Sequence, residues 1–85
     1  METIKRAIKC DTDNDFNREL FNNMCEQLEQ GERIWLYCWC IGHTRCAMVE
    51  ARYLNELANK YGDDFREVPY EDKHPSDWMD CYELK

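Results

Sequence analysis

Residues 33–46, RIWLYCWCIGHTRC, decide the fold of this chain. The first eight, Arg33 to Cys40, are aromatic-rich and hold no helix breaker. A run this short, with no polar face, reads as a central strand covered on both sides. Gly42 and His43 then make a turn, and Thr44 supplies a helix N-cap. Beyond it Cys46, Val49, Tyr53, Leu54, Leu57, Ala58 and Tyr61 trace a helical stripe, with Gly62 placed to end it. Strand, tight loop and helix in that order set thiols and an anion-attracting helix terminus where α/β folds place their chemistry.

Outward from that core, Thr3 to Cys10 (TIKRAIKC) reads as a first strand, with Ile4, Ile8 and Cys10 on one side and Lys5, Ala7 and Lys9 on the other. The cluster Asp11-Thr12-Asp13-Asn14-Asp15 is a turn rich in capping residues; it lacks the glycine and the distal glutamate of a calcium loop. Phe16, Leu20, Phe21, Met24 and Leu28 line one face of a helix that Gly31 closes. Phe65 to Tyr70 (FREVPY) makes a third strand, whose Pro69 belongs at a strand end or sheet edge. The order β-α-β-α-β, joined by right-handed crossovers, predicts an α/β fold with a small, mostly parallel three-stranded sheet flanked by two helices. Residues 71–85 (EDKHPSDWMDCYELK) read as a C-terminal tail, with Ser76 placed to cap a short final helix. That tail would cover a sheet edge or dock on a partner, and its removal would spare the fold. Residues 1–85 make one domain.

Eighteen acidic residues against 11 basic ones give a net charge of −7, which disfavours general nucleic-acid binding and is compatible with a basic protein partner. No apolar run approaches the roughly 20 residues that span a bilayer, and no signal-peptide core is visible. Those features lead to an expectation of a cytoplasmic protein with no membrane association. Six cysteines in a reducing compartment are best read as small buried hydrophobes. A parallel sheet this small leaves open edges, so a homodimer is a natural outcome.

Residues 38–46 support competing chemistries. Gly42, His43, Thr44 and Arg45 would cradle an anion at the helix N-terminus, the arginine adding a guanidinium and the glycine a close backbone approach. Tyr37 and Trp39 would stack a base, unless their strand face is core beneath a helix. Cys38, Cys40, His43 and Cys46 offer zinc a C-x-C-x2-H-x2-C ligand set. Cys40, separated from Arg45 by four residues, would carry a lowered thiol pKa at the helix N-terminus, with Cys46 as a resolving thiol. The bland alternative is that these thiols only pack helix against sheet.

The run YCWCIGHTRCAMVEARYLNELANKYGDDFREV resembles the active-site strand, loop and helix of rhodanese-type sulfurtransferases. That resemblance implies Cys40 as sulfur carrier and residues Gly42 to Arg45 as its cradle. Cys38-Trp39-Cys40 followed by Cys46 is also similar, over residues 33–60, to a domain family of unknown function with a C-W-C…C-H signature; position 47 here is Ala47. This second resemblance implies the fold and no activity. The sequence thus leads to a small binding protein for an anionic small molecule of phosphate or nucleotide type at residues 40–46. A thiol enzyme using Cys40 and an acidic inhibitor or adaptor stand beside it.

Overall fold

The computed structural model describes residues 4–11, 15–37, 44–77 and 80–85. Strand β1 (Ala7–Asp11) pairs in parallel with β2 (Arg33–Tyr37), from Ala7 opposite Arg33 to Asp11 opposite Tyr37. Helix α1 (Arg18–Glu29) connects them, and α2 (Thr44–Tyr61) follows β2. Two further strands, β3 (Phe65–Glu67) and β4 (Cys81–Leu84), complete a four-stranded mixed sheet in the order β1-β2-β4-β3.

The three-stranded, mostly parallel sheet is therefore corrected. β4 inserts between β2 and β3 and is antiparallel to both, leaving β1–β2 as the parallel pairing among the described residues. Since β4 opposes each neighbour, β3 still points the same way as β1 and β2. The expected C-terminal tail ends as a strand inside the sheet, and no final helix follows Ser76 among the described residues. Alternation explains the strand: Tyr82 and Leu84 join the main core, whereas Cys81 packs with Ala7 and Val68 on the other face. Removing that segment would take an interior strand out of the sheet.

Local rules set the first helix. Asn17 is extended (φ −123°, ψ 119°), and its side-chain oxygen accepts the Leu20 N–H at 3.1 Å. Phe16, one residue earlier, meets Phe21 with ring centroids 5.8 Å apart, a hydrophobic staple that fixes the entry of the chain. Gly31 (φ +87°) donates to the Leu28 carbonyl and Glu32 to that of Gln27, both at 3.0 Å. This pair of bonds is the Schellman ending that favours glycine.

Both crossovers step in the same direction across the sheet, so connections of one hand leave both helices on one face. Phe21, Met24, Cys25 and Leu28 of α1 and Tyr53 and Leu57 of α2 are buried there against Cys10, Ile34, Leu36 and Tyr82. Each large aliphatic side chain in that layer contributes about 1.5–3 kcal/mol. The exposed Arg18–Glu56 pair at 3.9 Å contributes at most about 1 kcal/mol, so apolar contact places the helices.

The second face is covered by the chain between β3 and β4. Val68 and Cys81 are buried there with Ala7, and Trp35 packs against them half-buried. β2 is thus central and apolar on both sides, as its sequence requires, but Trp35 faces away from the helices. A row of charges crosses the same face: Glu83 accepts from Arg33 Nε at 2.8 Å and from Arg66 Nε at 2.7 Å. Arg33 Nη1 also donates to the carbonyls of Lys5 (3.1 Å) and Asp72 (2.8 Å), tying the covering segment to the sheet. No helix among the described residues is long and apolar enough to cross a membrane.

Candidate functional site

The carboxyl ends of β1 and β2 lie side by side, with Asp11 opposite Tyr37, and the chain leaves both strands from this end towards a helix start. The two helices run in the same direction in fixed register. The Asn17 N–H donates to the Tyr53 hydroxyl at 2.8 Å, and eight residues on the Tyr61 hydroxyl donates to Glu29 at 2.8 Å and to the Cys25 carbonyl at 3.5 Å. Tyr53 is therefore level with the cap of α1, and α2 starts nine residues earlier, at Thr44. At 1.5 Å per residue its first turns project about 13 Å beyond that level. The overhanging part holds Met48, 68% exposed, with Val49 turned to the core.

Thr44, expected as a cap just outside the helix, is the first residue of α2, with Arg45 and Cys46 in the same turn. Tyr37 closes β2. Cys38, Trp39, Cys40, Gly42 and His43 lie outside the described residues, and with them three of the four expected zinc ligands. The start of α2 is thus the next described element after the end of β2, and a helix start of this kind carries partial positive charge.

Two arginines at the same end were not singled out from the sequence. Arg18 and Arg52 hold their guanidinium carbons 4.8 Å and 4.4 Å from the Phe16 ring centroid, and that ring stacks on Tyr53 at 4.7 Å. Periodicity marks Phe16 and Tyr53 as core, and nothing in it shows that two cations converge on them from different helices.

The β4 side is acidic. Asp80 leads into β4 and lies 3.7 Å from Lys73 Nζ. Burial, with Asp80 adding to it, raises the carboxyl of Glu50 on α2 above its ordinary range. Glu50 and Asp80 thus face each other on the β4 side, where Lys73 pairs with Asp80, and Arg18 and Arg52 lie on the α1 side, where Glu56 is 3.9 Å from Arg18.

Cys10, Cys25 and Cys81 are buried thiols. Burial pushes Cys10 up to about 11, and burial followed by the Asp77 charge raises Cys81. Any reactive thiol is left to Cys38, Cys40 or Cys46.

A second concavity lies at the other end of β1. Ile4, Tyr70, Lys73 and His74 help to line a cavity of about 570 Å³. His74 is half-buried, with Nδ1 2.8 Å from Ser76 Oγ. No protein-family model, curated protein or solved structure matches this chain.

Proposed function

We propose that this is a small binding protein that holds an anionic small molecule, of phosphate or nucleotide type, where β2 passes into α2. In this reading Gly42, His43, Thr44 and Arg45 bind the anion, and Tyr37 or Trp39 stacks against a ring. The observation that carries it is the start of α2 at Thr44, the next described element after β2 ends at Tyr37. The Arg18–Phe16–Arg52 cluster supports an anion on the α1 side, since the acidic pair Glu50 and Asp80 disfavours one over β4.

Native and denaturing masses of freshly purified protein test the reading first, since a retained organic anion appears as an excess of several hundred daltons, about the mass of a nucleotide bound at such a terminus. Titration with adenosine monophosphate and with inorganic phosphate then measures affinity directly. Arg45→Ala is expected to weaken binding about tenfold, the loss of one charge-assisted contact. Sulfur transfer through Cys40 instead requires one rapidly alkylated thiol and activity lost in Cys40→Ser. An excess equal to zinc in the native mass would favour the Cys38, Cys40, His43 and Cys46 ligand set over the anion.

A further inference from the structure

We propose that the cavity beside Ile4 is a second binding site, which takes a small organic cation: a primary ammonium on an apolar body, with Asp77 as counter-ion. The cavity holds about 570 Å³, inside the range of small-molecule pockets, roughly 300–1,000 Å³. Its walls are Ile4, ahead of β1, and the segment between β3 and β4 that carries Tyr70, Glu71, His74 and Asp77. This site does not depend on the anion reading at the passage from β2 to α2.

Asp77 is 8% exposed, a charged residue set among buried side chains. An ionised carboxylate at that depth is costly unless it is paired. Its Oδ2 accepts the Ala7 N–H at 3.3 Å, longer than such bonds usually are. Fastening Ala7 would need only a neutral acceptor, which an asparagine supplies without burying a charge. Among the described residues no donor reaches Oδ1, and neither oxygen makes an ion pair. Gln27 Oε1 is the buried side-chain oxygen left without a partner among those residues, so Asp77 Oδ1 still reaches open space. The cavity is open space that Asp77 lines.

Charge and shape then select the ligand. Glu71 and Asp77 line the cavity with Lys73, and Asp80, 3.7 Å from the Lys73 ammonium, offsets that cation. His74 Nδ1 accepts the Ser76 N–H at 3.2 Å, an arrangement that suits the neutral ring. The wall is thus net negative, in a chain whose net charge is −7, and an anion would be repelled. A guanidinium pairs best through both carboxylate oxygens, and Oδ2 is engaged by Ala7; an ammonium needs only Oδ1. Tyr70, 86% exposed, offers its ring to a cation or to an apolar body, and Ile4 is 45% exposed on the same cavity.

The test is titration of nitrogen-15-labelled protein with phenethylamine and, separately, with 2-phenylethanol, its neutral counterpart. The amine is expected to shift amides at residues 70–77, and the alcohol to bind at least about tenfold more weakly, the loss of one charge-assisted contact. Asp77→Asn keeps an acceptor for Ala7 and removes the charge, and is expected to weaken the amine about tenfold while leaving the alcohol unchanged. Tyr70→Ala, at an exposed ring whose loss spares the core, is expected to weaken the amine about threefold. Millimolar phenethylamine without shifts at residues 70–77, equal binding of amine and alcohol, or undiminished amine binding in Asp77→Asn would each overturn the proposal. The comparison of amine with alcohol uses the unaltered protein, so it decides the matter even where Asp77→Asn fails to fold.

Discussion

Arg33 Nε lies 2.8 Å from Glu83 Oε1, across the pairing of β2 with β4, and both side chains are largely shielded from water. Glu83 also receives Arg66 from β3, so one carboxylate links three strands. Burial alone would raise its pKa, but hydrogen bonds from the two guanidinium groups outweigh that and hold it below the ordinary 4.5. Glu83→Gln leaves two arginines facing a neutral amide, and is expected to cost about 2 kcal/mol at neutral pH. Because the folded value is depressed, this stabilisation is complete above 4.5 and disappears as pH falls through the lowered value. Thermal melts of both proteins from neutral to acid pH should converge; a constant difference would contradict the assignment.

Glu50 has the opposite sign. Its pKa is raised by burial and by Asp80, so its charge opposes folding at neutral pH, and that penalty is relieved as pH falls through the raised value. Glu50→Gln should stabilise the fold at pH 7 by less than about 1 kcal/mol, seen as a higher melting temperature. Below the ordinary 4.5 the gain should vanish. A variant equally stabilised at both pH values would show that charge is not the cause.

Gly31 holds φ +87°, and a Cβ built there would meet only Lys5 Nζ, at 3.7 Å. Gly31→Ala therefore introduces backbone strain without a clash, at a cost of about 1 kcal/mol. Gly31→Asn, which tolerates the left-handed region better, should cost less. Chemical denaturation of the pair checks the order.

Truncation after Asp80 removes β4 with its buried Cys81 and Tyr82, and leaves Phe65 without the ring it stacks on at 5.4 Å. The shortened chain should lose its cooperative unfolding transition. Retention of a cooperative melt would show that the last five residues are dispensable.

Periodicity made both helices and the central strand legible, since Met24, Leu28, Tyr53 and Leu57 repeat at helical spacing and Arg33 to Tyr37 has no polar face. Gly31 was equally readable, because its conformation is a local matter. β4 was not. Cys81 to Leu84 is four residues long, and its Glu83 looks like a surface charge until Arg33 and Arg66, distant in sequence, are brought to it. The cap of α1 also moved from the aspartate cluster to Asn17, because the Phe16–Phe21 staple fixes the entry. At the candidate site, sequence located the helix start at Thr44 within a residue. The convergence of Arg18 and Arg52 on Phe16 depends on the register of two helices and has no local signature.

The most direct test of the central claim is a map of amide chemical shifts in nitrogen-15-labelled protein as adenosine monophosphate is added. Binding where β2 passes into α2 predicts that the largest saturable shifts fall on residues 42–46, and that Arg45→Ala weakens them about tenfold. Saturable shifts confined to another surface, or none at millimolar nucleotide, would contradict it.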